Sequence, residues 1–334
     1  MFVVNVISVL LGSWTNYNLV ANMYCGLLFQ FLALILVWRI LVLTLRGPDA
    51  ILIRPAVVGA SLLFFWTVSW ESWAWAISSV EFLSSVFWAV ATVWAISEWP
   101  VSWRGTILSF LFAALGVLTA AAGFPLLLIP PICNLAYGWH RKKIRWAQIV
   151  FHAGASSVLM IFFFVGWSSS PISLPARSFA RNLIAGIAYG FAYLGSPFET
   201  RFDWKLGLAV GVAGVAGLGV CLQRFLRTFA KDLTILIPWL SLALYSLLNA
   251  VLTAYGRIRF GMSTAMSSRY TSIAMLFWVA TIVILSILVS RGVRQRGNLK
   301  GLRVAILVAG LLCGIIYIDS YYKGFLKLRY HSLV

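Results

Sequence analysis

Residues 19–42 read LVANMYCGLLFQFLALILVWRILV, an apolar run whose one charged residue is Arg39. A helix needs about 20 apolar residues to cross the hydrocarbon core of a membrane, so this run is long enough. The run is continuous and does not alternate between apolar and polar residues, which favours a helix over a strand of a membrane barrel. The stretch therefore predicts a membrane-spanning helix.

The composition of the whole chain agrees with this prediction. Hydrophobic residues make up 62% of the 334 residues and charged residues 10%, whereas a soluble domain carries about 25% charged residues. Further runs without charge occupy residues 146–176, 206–223, 233–256 and 270–290. We therefore expect an all-α integral membrane protein, with one polytopic transmembrane domain over residues 1–334 and no soluble domain.

The apolar runs predict about nine or ten transmembrane helices. Beyond 19–42, the expected spans are 53–69, 76–96, 105–121, 124–139, 147–167, 206–222, 233–255, 271–290 and 303–319. The segment near 182–197 is expected to be interfacial or re-entrant. If it crossed fully, the basic loop 223–232 would lie outside, against the rule that basic loops stay in the cytoplasm.

The formal net charge is +18, with 26 basic and 8 acidic residues. The basic residues lie mainly in short loops such as 140–145, where they indicate a cytoplasmic side and favour contact with anionic membrane lipid. We therefore expect membrane lipid as a partner and no nucleic acid. The cysteines and histidines show no metal-binding spacing, so no metal and no cofactor are expected.

Residues 70–75 read WESWAW, and a second carboxylate follows at Glu81. Acidic residues are scarce in this chain, so a carboxylate at a membrane boundary among tryptophans is a candidate functional group. Glu71 and Glu81 are therefore candidate catalytic bases, and Trp70 and Trp73 candidate substrate contacts. The alternative is an interfacial turn, with tryptophan anchors and a solvated glutamate.

Residues 256–270 read GRIRFGMSTAMSSRY and are expected to face the outer side of the membrane. Arg257, Arg259 and Arg269 there run against the cytoplasmic preference of basic residues. Arginine binds phosphate through a planar fork of donors, so these residues are candidates for holding a lipid phosphate or pyrophosphate. The alternative is pairing with Glu71, Asp203 or phospholipid headgroups.

Four short stretches carry a resemblance that covers most of the chain from about residue 19 onward. They are residues 70–75 (WESWAW), 121–125 (AAGFP), 194–197 (LGSP) and 256–271 (GRIRFGMSTAMSSRYT). In these stretches the chain resembles uncharacterised bacterial polytopic membrane proteins that are similar to GT-C glycosyltransferases.

The resemblance implies a multi-pass protein of the bacterial inner membrane that acts in envelope polysaccharide or glycolipid assembly. It implies sugar transfer from a polyprenyl-phosphate donor at the outer face. Arg257, Arg259 and Arg269 would hold the lipid phosphate, and Tyr270 with Trp70 and Trp73 would stack on the sugar or prenyl chain. Glu71 would be the base, or Glu81 in its place.

The sequence departs from the family at its start. GT-C enzymes usually place an acidic residue in the first outer loop, whereas residues 1–38 contain no Asp or Glu. This implies either that the family's first span and acidic loop precede Met1 or that the protein is a shortened, non-catalytic member. Two further functions stay open: a transporter or flippase of a lipid-linked or anionic substrate, and a non-catalytic subunit that packs on a membrane protein partner.

Overall fold

The computed structural model describes residues 2–65, 72, 75–165, 179–198 and 203–295. Within these residues the chain forms eleven helices and no strand. The helices are α1 Phe2–Thr15, α2 Leu19–Thr44, α3 Ile53–Phe64, α4 Ala76–Glu98, α5 Trp103–Thr119, α6 Ile129–His140, α7 Trp146–Phe164, α8 Phe179–Gly195, α9 Trp204–Phe229, α10 Ile237–Arg257 and α11 Ser268–Gln295. The prediction of an all-α membrane protein is confirmed.

Seven helical segments are long and apolar enough to cross a membrane. They are α2, α4, the segment Ala121–His140 that ends in α6, α7, α9, the segment Ile237–Phe260 that begins with α10, and α11. The protein is therefore a multi-pass membrane protein. Among the other predicted spans, α5 has 17 residues, the helix at 53–69 is described as far as residue 65, and 303–319 lies outside the described residues.

The segment expected to be interfacial or re-entrant forms α8, which has 17 residues. Its apolar part belongs to the shorter helices that fall below the length of a span. A 3-10 turn, Ser196–Phe198, follows it directly. By length this segment falls with α1 and α5 outside the seven long spans, and its interfacial or re-entrant placement stays a prediction.

The spans differ in how deeply they lie inside the bundle. In α4 and α11, 67% of the apolar window is buried, whereas the value for α7 is 11% and for α9 28%. The central spans α4, α10 and α11 therefore form the core, and α7 and α9 turn most of their surface outward. Val158, Ile161 and Phe162 on α7 are exposed, as expected for side chains that face lipid.

The two ends of the bundle carry different chemistry. At one end, the termini of α2, α4, α6 and α11 meet around a cavity that includes Arg46, Arg141 and Arg291. We call this the basic end, and the positive-inside rule assigns it to the cytoplasmic side. At the other end, the starts of α4 and α11 approach each other, and Ser72 Oγ lies 3.0 Å from Ser272 Oγ.

Gly26 allows α2 to approach α4 closely at this opposite end. A Cβ atom on Gly26 would lie 2.7 Å from the carbonyl carbon of Ser79, much closer than non-bonded carbon atoms pack. Ser79 Oγ donates a hydrogen bond to the Met23 carbonyl over 3.2 Å. The absence of a side chain at Gly26 therefore allows α4 to pack directly against α2.

We predict that Gly26→Ala destabilises the protein although alanine favours helices. The added methyl group must push α2 away from Ser79, and overpacking of this kind costs about 1–3 kcal/mol. The matched control is Gly59→Ala in α3, where a Cβ atom meets no neighbour within 4 Å and helix propensity should stabilise by up to about 1 kcal/mol. The thermal unfolding midpoint in detergent should fall for Gly26→Ala and rise for Gly59→Ala. A rise for both variants would contradict the close packing at Gly26.

Candidate functional site

Glu81 lies in a π-helical turn, Ser79–Leu83, inside the membrane-spanning helix α4. It is half-buried and five residues beyond the start of the helix, a depth of roughly 7 Å at about 1.5 Å per residue. The Ser85 hydroxyl donates to the Glu81 carbonyl over 2.7 Å, and Ser84 Oγ donates to the Val80 carbonyl. Serine side chains that bond to carbonyls four residues earlier bend helices, and π turns occur frequently at functional sites.

Two of the predicted arginines act electrostatically on this carboxylate. Arg269 and Arg257 interact electrostatically with both Glu81 and Tyr189, whereas burial is the strongest influence on Glu81. Arg269 is half-buried, whereas Arg257 is exposed. The π turn of α4 contacts the start of α11 through Phe82 and Tyr270, and α8 contacts the same region through Tyr193.

Arg269 is held in place by its neighbours at the start of α11. Its Nε donates to Ser267 Oγ over 3.1 Å, and its guanidinium carbon lies 5.4 Å from the centroid of the Tyr270 ring. The hydroxyl of Ser72 donates to the Arg269 carbonyl over 3.3 Å. These contacts restrict both the backbone and the side chain of Arg269.

Aromatic side chains form the inner wall of the site. The Tyr270 ring, 7% exposed, packs edge-on against Phe82, with 5.8 Å between ring centroids. Tyr193 of α8 lies on its other side at 5.9 Å. The position of α8 is fixed by a hydrogen bond of 2.7 Å from Trp278 Nε1 to the Leu194 carbonyl.

The hydroxyl groups of the two α8 tyrosines differ in their partners. Tyr189 OH lies 3.1 Å from Thr264 Oγ1 and shares a hydrogen bond with it. Tyr193 is fully buried, and its hydroxyl has no hydrogen-bond partner among the described residues. Buried polar atoms are nearly always paired in proteins, so the unpaired Tyr193 hydroxyl is unusual, but its full burial leaves it no surface for a ligand in this conformation.

The predicted site residues divide into three groups. Glu81, Arg269 and Tyr270 lie at the contact between the π turn of α4 and the start of α11. Arg257, at the end of α10, and Arg259 are exposed at the same end, and the guanidinium carbon of Arg259 lies 4.7 Å from the Phe260 ring centroid. The predictions for Glu71, Trp70 and Trp73 fall outside the described residues. In the part of the chain that is described, no three His, Cys, Asp or Glu residues come together as metal ligands.

Tyr189 and Tyr193 were not predicted from the sequence. Their spacing of four residues places both on one face of a helix, and that face could have been recognised within the stretch GIAYGFAYLG. What the sequence does not contain is their distance from Tyr270, which depends on how α8 packs against α11.

Comparisons with known proteins give no assignment for this site. The chain matches no protein-family model, and neither a curated protein nor a solved structure shows a significant match. The resemblance to GT-C enzymes therefore stays a prediction from short motifs.

We predict opposite effects on stability when the two α8 tyrosines are changed to phenylalanine. Tyr189→Phe removes the hydrogen bond to Thr264 and should cost about 1 kcal/mol. Tyr193→Phe removes a buried hydroxyl that has no described partner, so stability should stay equal or rise slightly. Unfolding midpoints of the purified variants check this, and a larger loss for Tyr193→Phe would show that its hydroxyl is paired within the protein.

Proposed function

We propose that the protein binds a lipid-linked phosphate at the end opposite to the basic end and transfers the sugar that it carries, as a GT-C-type glycosyltransferase. The observation that carries this proposal is the half-buried Glu81, held in a π turn inside a span, whose neighbour Phe82 packs on the Tyr270 ring beside the Arg269 guanidinium. A base and a phosphate-binding pair are the two groups that such a transfer needs.

In this proposal the arginines hold the phosphate of the donor. A guanidinium group presents planar donors that match phosphate oxygens, and it stays charged at all accessible pH values. Arg269 is half-buried and positioned by Ser267, so its interaction with the phosphate is less screened by water than that of exposed Arg257. Arg269 should therefore contribute more than Arg257, and Arg259 less than either.

Glu81 then serves as the general base. Its carboxylate takes the proton of an acceptor hydroxyl while the hydroxyl oxygen forms a bond to the anomeric carbon of the sugar. The bond between that carbon and the donor phosphate breaks, and the phosphate leaves with the electron pair. Arg269 and Arg257 stabilise the negative charge that develops on the leaving phosphate.

The tyrosines complete the site in this proposal. Tyr270, which lies beside Arg269, contacts the sugar or the first prenyl units, and the buried Tyr193 packs against the Tyr270 ring and supports it. Trp70, Trp73 and Glu71 stay sequence predictions for the same site. Leu183, Ile184 and Ile187 of α8 are exposed, so a prenyl chain in the membrane would meet an apolar surface beside the two α8 tyrosines.

A second function, translocation of the same lipid-linked anion, is favoured by one observation. The basic end also contains an arginine-lined cavity, so groups that attract anions lie at both ends of the bundle. Translocation needs the arginines but no general base. The two functions therefore differ in what they require of Glu81.

The decisive variant is Glu81→Gln, which keeps the size of the side chain and removes the base. We predict a loss of sugar transfer of about 100-fold or more, because general-base catalysis contributes about 10²–10⁴. The assay measures sugar transfer in membranes that contain the full chain and a panel of polyprenyl-phosphate sugars. Arg269→Gln should reduce transfer as well, mainly by weakening donor binding.

Asp203→Asn is the matched control. Asp203 caps the start of α9, where its carboxylate accepts a hydrogen bond from the Lys205 amide over 3.0 Å, and asparagine caps helices equally well. The variant therefore removes one acidic charge without touching the site. Transfer that is unaffected by Glu81→Gln would contradict the proposed enzyme, whereas translocation that survives in the same variant would favour the transporter.

A further inference from the structure

A cavity of about 380 Å³ opens at the basic end. Its polar lining includes Arg46, Asp49, Glu98, Tyr137, Arg141 and Arg291. These residues come from the ends of α4, α6 and α11 and from the turns that follow α2 and α6, so the cavity lies where several spans end. None of them belongs to the Glu81 site at the other end.

Arg291 is part of the wall of this cavity, with its charge already satisfied. Its Nε donates to Asp49 Oδ2 over 3.0 Å, and another guanidinium nitrogen donates to Asp232 Oδ2 over 2.6 Å. The guanidinium carbon also lies 5.4 Å from the centroid of the Phe229 ring. Arg291 therefore ties the end of α11 to the turns that follow α2 and α9, and it has little capacity left for a ligand.

Arg46 and Arg141, unlike Arg291, have guanidinium groups that can bind a ligand. Both line the cavity and are exposed, and neither forms an ion pair with a described residue. Two unsatisfied guanidinium groups at one cavity mouth present the donors that phosphate oxygens accept. Negatively charged headgroups are abundant at the cytoplasmic surface, to which this end is assigned.

The carboxylate of Glu98 restricts which phosphate-containing ligands can occupy the cavity. Its carboxylate pairs only loosely with Arg39, at 3.9 Å, and its buried Oε2 accepts no hydrogen bond from a described residue. A bare phosphate beside this carboxylate would be repelled. A ligand that places a hydroxyl or ammonium donor beside the Glu98 side chain, which is 22% exposed, would instead be attracted by the carboxylate.

We infer that the basic-end cavity binds a phosphate ester whose headgroup also carries a hydrogen-bond donor, with the phosphate between Arg46 and Arg141 and the donor on Glu98. A phospholipid headgroup such as phosphoglycerol and a soluble ester such as glycerol phosphate share this chemistry. The inference is independent of the function proposed for the Glu81 site. Binding here would connect α2, α4 and α6 through one ligand.

The first test measures the affinity of the purified full chain for phosphatidylglycerol in nanodiscs or detergent. Arg46→Gln and Arg141→Gln should each weaken binding about tenfold, the cost of one lost charge-assisted hydrogen bond. The matched control is Arg145→Gln, which removes the same charge from the same loop as Arg141 but from a residue outside the cavity. If Arg145→Gln loses as much affinity as the other two variants, the loss reflects the general surface charge and the inference is overturned.

The second test separates the role of Glu98 from that of the arginines. Phosphatidylmethanol carries the same charge as phosphatidylglycerol but has no hydroxyl donor, so the wild-type protein should bind it more weakly. Glu98→Met, which keeps the length of the side chain but removes the oxygen acceptors, should remove this preference while retaining phosphate binding. Equal binding of the two lipids by the wild-type protein would contradict the assigned role of Glu98.

A competition experiment identifies the source of the ligand. If glycerol phosphate displaces phosphatidylglycerol, the headgroup chemistry alone is sufficient and a soluble ester can occupy the cavity. If it does not, the acyl chains are needed and the ligand is a membrane lipid. Both results support the binding site. If neither glycerol phosphate nor phosphatidylglycerol binds, the inference is overturned.

Discussion

No water is present in the hydrocarbon of a membrane to satisfy polar groups, and this constraint governs how the bundle is built. The buried hydroxyls of the spans mostly donate to carbonyls of the preceding turn; Thr92, for example, donates to the Trp88 carbonyl over 2.8 Å. Longer links join different helices. Gln30 Nε2 donates to the Phe64 carbonyl over 2.8 Å, and Trp239 Nε1 to Thr44 Oγ1 over 3.3 Å.

Some buried polar atoms in the spans have no hydrogen-bond partner among the described residues, and their surroundings differ. Asn134, Gln148 and His152, on the neighbouring helices α6 and α7, also carry polar atoms without a described partner. An unpaired buried group therefore does not mark a site by itself. Tyr193 differs from these residues in its position, because it packs against Tyr270, the ring that lies beside both Phe82 and the Arg269 guanidinium.

The sequence was sufficient to predict the helical membrane class and most spans, because hydrophobic length is a local property. It also singled out Glu81, Arg257 and Arg269, since charged residues are scarce in this chain, and the resemblance added Tyr270. It could not predict the π turn around Glu81 or the close approach of α2 to that turn at Gly26. The bonds of Arg291 to Asp49 and Asp232 were equally hidden, because they join residues far apart in sequence.

Both proposed sites require the two ends of the bundle to lie on opposite sides of the membrane, with Arg257, Arg259 and Arg269 on the outer side. The most direct measurement labels Arg145→Cys and Arg259→Cys variants in intact cells with a membrane-impermeant maleimide, with the unaltered chain as background. We predict labelling of Arg259→Cys in intact cells and of Arg145→Cys only after permeabilisation. Labelling of both variants in intact cells, or labelling of Arg145→Cys alone, would contradict this assignment of the two ends to opposite sides of the membrane.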